Sequence, residues 1–456
     1  MKATVIGAGI TGLTLAHRLG QLGHEVCLIE KEERVGGVIR TLDEDGFRFE
    51  TGPNTGVMNN NRLVELFDDV APQCRPLLAR PEAKRRLILQ GNSWKPLPSG
   101  PISAISTDLF SFADKLRLLG EPWRRPGTDP DETLSRLVVR RMGRTFLTNA
   151  VDPFVSGVYA GDPDKLVTRY ALPKLYNLEQ RYGSFIGGSI RKARADKAAG
   201  IVRRFGKEVF STPDGLQGLV DAVAALVGHD NIICGCADVS VRRTGGRFET
   251  TFVRQGRQQT VTSDVVAVAT NAPQIPDIVS DLPGELTQSI AQMTYAPVML
   301  AVAGYRRWTG KPLAAFGGLV PSAQRRNVLG ILFPSAIFGG RAPVDGALLS
   351  VFMGGVRRPD LLDKSDEDVR NLIIDEVYAT LHERAEPDLF RIYRHRQAIP
   401  QYDISCGRRM ELIERAERDI KGLYIAGNIH NGIGIGDRVC QAYDYAERID
   451  RENPKP

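Results

Sequence analysis

The chain has 456 residues, 42% of them hydrophobic and 25% charged, which excludes a disordered or low-complexity protein and allows two or three domains with sizeable cores. Its 60 basic and 54 acidic residues leave a net charge of +6, compatible with an anionic substrate or membrane surface, but no basic run is interleaved with aromatics as a nucleic-acid binder requires. Six scattered cysteines and six histidines without metal-ligand spacing point to reduced thiols and to chemistry that uses no metal.

In chain order, residues 2–6 read as a strand, Gly7-Ala8-Gly9-Ile10-Thr11-Gly12 as a glycine turn, residues 13–22 as a helix and residues 24–29 as a second strand closed by Glu30. Gly7 makes the tight turn, Gly9 lets backbone approach a pyrophosphate, and Gly12 lets helix and strand pack closely. The helix N-terminus then holds the phosphates, and Glu30 accepts from a ribose hydroxyl. Residues 34–41 add a second glycine turn with a cation beside it, and residues 47–53 add a strand ending at Gly52-Pro53.

Residues 83–94 predict a β-hairpin turning at Gly91-Asn92. Residues 96–206 show helical patterns and no strand pattern, the mark of an inserted helical lobe, with a basic stretch over 181–204 that could steer anionic lipid or substrate. A helix then starts after Pro213-Asp214-Gly215, Val239 and Val241 begin a strand, residues 248–260 form a hairpin, and residues 264–270 form a buried strand. Residues 284–394 mix strands with one long amphipathic helix over 366–384. Residues 422–428 return to strand and glycine, and 432–448 to a glycine turn and helix, so a nucleotide fold is opened at one terminus and closed at the other. A helix beginning near Ile435 aims its positive end at what precedes it, which suits a negatively charged group there.

The turn after Glu30 and the Gly52-Pro53 turn are parts a nicotinamide domain does not need, and with them the chain resembles the FAD-binding amine oxidase superfamily. Val38 stands where many members carry a second arginine, which leaves the phosphate contact to Arg40. Residues 153–163 (PFVSGVYAGDP), 338–343 (FGGRAP), 397–402 (QAIPQY) and 422–435 narrow this to a likeness to oxygen-dependent protoporphyrinogen and coproporphyrinogen oxidases over nearly the whole chain. Two departures stand out: His395 near a position where the family commonly has Trp, and Asn54 where some animal members have a basic residue.

The resemblance implies an α/β fold, with a discontinuous Rossmann-like FAD domain of the glutathione-reductase type (1–80, 207–270 and 395–456), a mixed α/β substrate domain (81–95 and 271–394) and an α-helical insertion (96–206) as the lobe that would face a membrane. It assigns FAD to Gly7, Ala8, Gly9, Ile10, Thr11, Gly12, Glu30, Lys31, Gly37, Val38, Arg40, Gly52, Pro53, Asn54, Thr55, Val239, Gly427, Ile433, Gly434 and Ile435. It assigns substrate to Arg85, as the partner of a propionate, and to Gly157, Leu319, Val320 and Phe338. His430 reads by default as a solvated loop histidine, and neither a metal site nor a certain catalytic acid or base stands out.

The implied activity is a six-electron oxidation of protoporphyrinogen IX with O2 as acceptor and hydrogen peroxide as product, coproporphyrinogen III being the alternative substrate. Amine oxidases and desaturases of the superfamily, and a non-catalytic binding protein with a lost nucleotide site, are the competing classes; the intact glycines and Glu30 count against the last. The chain opens on its first strand, from which we expect no leader and a cytoplasmic location. Its apolar runs stop short of the roughly 18 residues a membrane helix needs, leaving peripheral contact with the inner membrane, and a monomer or a homodimer, as open alternatives.

Overall fold

Strand β1 (Lys2–Ile6) runs through the first glycine turn into α1 (Ile10–Gln21) and β2 (Glu25–Ile29). The structure is a computed structural model that describes residues 1–98, 107–200 and 202–454; residues 99–106 and 201 of the expected helical insertion, and the last two residues, lie outside the described residues. A hairpin of β3 (Arg86–Gln90) and β4 (Ser93–Pro96) follows, and the helical lobe contains α2 (Phe112–Leu119) and α3 (Asp152–Tyr159). The chain then forms α4 (Leu216–Val227), β5 (Ile232–Ile233) and β6 (Val265–Val268). Next come β7 (Tyr295–Tyr305), β8 (Gly317–Leu319), β9 (Val328–Leu332), β10 (Ala347–Gly354), α5 (Asp366–Leu381) and β11 (Leu389–Pro400). Finally β12 (Leu423–Ile425) leads to α6 (Ile435–Glu452).

The first sheet is parallel, in the order β5-β2-β1-β6-β12, so the N- and C-terminal segments meet side by side. Its strands are apolar on both faces because helices cover both. Ala3, Val5 and Leu28 pack with Leu13 and Ala16 of α1 and with Val439 and Ala442 of α6, while Val266, Val268 and Ile425 pack into a second cluster with Ile275 and Leu412.

The second sheet has seven strands in the order β11-β7-β10-β9-β8-β3-β4. Alternation along β7 divides its faces. Met299, Ala301 and Ala303 lie under α5 with Val369, Ile373 and Val377, whereas Leu300 and Val302 pack against Phe47 and Phe49 from the nucleotide-binding side. The helix expected over 366–384 stops at Leu381, where His382 turns left-handed with φ 60°. The expected boundary at residue 394 cuts through β11, which stays in this sheet to Pro400; its arginine-rich outer positions hide the strand pattern.

Part of the lobe's arginine content is internal. Arg141 is fully buried, donating from Nε to Glu121 at 2.7 Å and from Nη1 to Glu179 at 2.9 Å. The lobe is pinned to the second sheet by Arg357, which bridges Asp152 at 2.5 Å and Asp162 at 2.9 Å.

Candidate active site

Where α1 packs on the end of β1, position 12 admits only glycine. A Cβ on Gly12 would lie 1.9 Å from the carbonyl oxygen of Gly7, which itself has φ 100°. Ala8 and Ile10 are buried, and Gly9 leads into α1 with no side chain capping the helix, so its first-turn N–H groups, Thr11 among them, are free for an anion. Glu30, buried at the end of β2 beside exposed Lys31, accepts from the N–H of Ala8 at 2.6 Å and of Glu32 at 2.9 Å. Each carboxylate oxygen keeps a lone pair for a ribose hydroxyl. Val239 packs half-buried beside Ile29 and Cys236, next to that acid.

The second glycine turn closes on the first. The N–H of Gly36 donates to the Ala8 carbonyl at 2.7 Å, and Gly37 lies against Gly9. Arg34 is committed to this turn, donating to the carbonyls of Val35 and Ile39 at 3.0 Å and of Gly37 at 2.6 Å. Val38 is 57% exposed, and the exposed Arg40 guanidinium makes no hydrogen bond or ion pair with the described residues, which leaves it available for phosphate.

The Gly52-Pro53 turn is held from two sides. Asn54 donates from Nδ2 to the Gly52 carbonyl at 3.0 Å while its Oδ1 is buried without a partner, beside half-buried Thr55. His395 reaches across from β11 and donates from Nε2 to the Thr51 carbonyl at 2.8 Å. The residue that departs from the family pattern is thus a tie between the seven-stranded sheet and the Gly52-Pro53 turn.

Gly427 follows β12, and Ile433 and Gly434 lead into α6, which begins at Ile435, again with no side-chain cap. Tyr402 donates to the carbonyls of Asn428 at 2.9 Å and Gly432 at 3.0 Å, and Asn60 Nδ2 donates to the Gly436 carbonyl at 2.8 Å. His430 is not the solvated histidine expected. It is 6% exposed, with Nε2 at 3.0 Å from the Ile425 carbonyl, and burial holds its imidazole below the ordinary histidine value. Two uncapped helix N-termini and a lone buried acceptor therefore lie at the carboxyl ends of the parallel strands, where open α/β sheets bind dinucleotides. This arrangement fits FAD: the start of α1 and Arg40 would hold phosphates, Glu30 a ribose hydroxyl, and the Gly52 turn and the start of α6 the flavin.

The second sheet supplies the facing wall. Register places Arg86 opposite Gly317, and Ile88 opposite Leu319, which is in turn opposite Gly330, so these residues share one face. Gly157 of α3 lies on that face: a Cβ there would meet Leu319 Cδ2 at 2.3 Å. The wall continues through Phe352 and Ile399 to half-buried Ile433, just before α6. Val320 points the other way, 3% exposed in the core under α5. Phe338 is 2% exposed, packed on Ala83 and Ile337 with the Arg341 guanidinium 5.5 Å from its ring centroid.

Of the two adjacent arginines, Arg85 precedes β3 and alternation turns it away from this face. Arg86, which sequence reasoning passed over, shares the face with Leu319 and lies 5.6 Å from the Phe316 ring centroid. Arg86 is exposed, yet surrounding protein holds its guanidinium below the ordinary arginine value.

The sequence pattern described as flavin containing amine oxidoreductase matches residues 10–448. Protoporphyrinogen oxidase 2 of Arabidopsis thaliana is 28% identical over 97% of this chain and 93% of its own. Coproporphyrinogen III oxidase of Bacillus subtilis is 26% identical over 96% of this chain and 95% of its own. A crystal structure from Exiguobacterium sp. 255-15 superposes with a TM-score of 0.80 at 22% identity over 99% of both chains, which establishes the fold. The chain is an FAD-dependent oxidoreductase and belongs to the flavin-containing amine oxidoreductase family.

Proposed function

We propose that this enzyme oxidises protoporphyrinogen IX to protoporphyrin IX, removing six electrons in three two-electron steps while three O2 are reduced to three hydrogen peroxide. The observation that carries this reading is the near-full-length similarity to porphyrinogen oxidases, joined to a sheet face on which Ile88, Leu319 and Phe352 lie together with the cations Arg86 and Lys95. FAD supplies a hydride acceptor that O2 can reoxidise. Arg86 would pair with a propionate, while Leu319, Phe352 and Ile433 exclude water from the macrocycle. The uncapped start of α6 favours negative charge developing beside it. A second reading, coproporphyrinogen III as substrate, is supported by the Bacillus relative at similar identity.

Anaerobic mixing of the holoenzyme with each porphyrinogen tests this. Bleaching of the flavin by one or both is the expected result; a flavin that stays oxidised with both would overturn it.

Peripheral membrane contact belongs to the same reading. Phe112, Leu116 and Leu119 lie along one side of α2 at 76%, 53% and 67% exposure, with Trp123 beyond at 83% and the exposed Arg117 and Arg125 beside them. Among the described residues no helix is long and apolar enough to cross a membrane. Co-flotation with anionic vesicles that is lost in a Leu116→Ser, Trp123→Ser double variant is the expected outcome, and no flotation of the parent protein contradicts it.

A further inference from the structure

One charged group beneath the flavin loop has no part in the chemistry above. Arg438 lies in the first turns of α6 and is 5% exposed. Its Nη2 donates to the carbonyls of His430 and Asn431, both at 2.8 Å, and its Nη1 to the carbonyl of Gly427 and to Gln441 Oε1, the latter at 2.8 Å. Nε is buried with no acceptor. None of these partners is a carboxylate; the neighbouring acid, Asp437, accepts from Asn59 Nδ2 at 3.2 Å and places its other oxygen against Gly432 and Gly434, from where it offsets part of the Arg438 charge.

A buried cation without a carboxylate partner is costly, and the positive end of α6 beside it adds to that cost. Carbonyl dipoles offset part of it. Those same bonds fix the loop: with Arg438 and Tyr402 drawing the carbonyls of Gly427, Asn428, His430, Asn431 and Gly432 to one side, the backbone conformation of the loop is set, including left-handed Gly427, Asn431 and Gly432 at φ 96°, 64° and 94°. What Asp437 and the carbonyls leave unbalanced favours further negative charge next to the loop, and a reduced flavin would provide it.

We propose that Arg438 is a positioning residue that both shapes residues 427–434 against the flavin and, as a buried charge with no ion-pair partner among the described residues, stabilises reduced over oxidised FAD. The inference rests on the FAD assignment and is independent of which substrate the enzyme oxidises. Its charge acts through space on the cofactor, and its fork geometry acts on the loop, so the two roles separate experimentally.

The test is the midpoint potential of bound FAD, measured by dye equilibration on holoenzyme, together with FAD affinity and thermal unfolding, in Arg438→Met, Arg438→Lys and Tyr402→Phe. Arg438→Met is expected to bind reduced FAD at least tenfold less tightly relative to oxidised FAD, a fall of ~30 mV for a two-electron couple. Arg438→Lys, which keeps the charge, and Tyr402→Phe, which removes only a neutral donor, are expected to loosen FAD with the potential held near the parent value. An unchanged potential in Arg438→Met overturns the charge role. If that variant does not fold, a potential that drops as far in Tyr402→Phe as tenfold contradicts the proposal, because a neutral contact would then suffice. Parent protein purified without flavin would instead defeat the cofactor assignment.

Discussion

The imidazole of His395 and the carbonyl of Thr51 meet at 2.8 Å, tying the outermost strand of the seven-stranded sheet to the turn that precedes Gly52-Pro53. A carbonyl only accepts, so Nε2 is the donor. On the proposed reading the bond joins the substrate-facing sheet to the turn that would hold the flavin, so its loss should reach the cofactor.

His395→Ala is therefore expected to weaken FAD binding by about 2- to 10-fold, the worth of one net hydrogen bond of ~0.5–1.5 kcal/mol. Titration of apoenzyme with FAD, followed by flavin fluorescence, reads this directly. Affinity equal to the parent's would show the tie to be dispensable.

Arg86 and Arg85 separate the two faces of the sheet. Arg86→Ala should lower kcat/KM for a porphyrinogen by about 10- to 150-fold, since a charge-assisted pair is worth ~1.5–3 kcal/mol, while Arg85→Ala stays within about twofold. Steady-state kinetics on both variants decide, and the reverse ranking would move the propionate to the other face.

Gly157 lies where any side chain would displace Leu319. Gly157→Val should reduce kcat/KM while leaving the flavin spectrum unchanged, and adding Leu319→Ala should restore part of the loss, giving a non-additive cycle. Independent, additive effects would mean that the two residues do not share a wall of the same cavity.

Glu50 carries a pH dependence of stability. Burial is the largest influence and pushes its carboxyl up to about 7, against the opposing bonds from the Leu216 N–H and the Thr41 hydroxyl and the more distant Arg341 at 3.9 Å. Because the folded value exceeds the unfolded one, the unfolded chain binds fewer protons between about pH 4.5 and 7, and stability contributed by this group falls as pH rises through that window. The total is at most about 3 kcal/mol. Chemical denaturation across this range should show the decline in the parent protein and a flatter profile in Glu50→Gln.

The nucleotide half was legible because its requirements are local. Gly12 must be glycine whatever the rest of the chain does, and Glu30 follows a short strand at a set distance. Side-chain commitments were not. Arg34 and Arg40 look equivalent in the sequence, yet Arg34 bends back onto three carbonyls of its own turn and Arg40 stays free of partners among the described residues. Arg85 and Arg86 differ only in which face of a strand they take, and that follows from pairing with residues 317–319, more than 200 positions away. His430 looked like a loop histidine because nothing nearby in the sequence shows that Tyr445 and Gln441, on the following helix, enclose it.

The most direct test of the central claim is aerobic turnover of the purified yellow protein with protoporphyrinogen IX and coproporphyrinogen III side by side, following porphyrin fluorescence and hydrogen peroxide together. The account predicts fluorescence rising with at least one of them and three peroxides formed per porphyrin. Bound flavin with neither porphyrinogen oxidised above the rate in buffer would contradict it and turn attention to amines or other substrates of the same family.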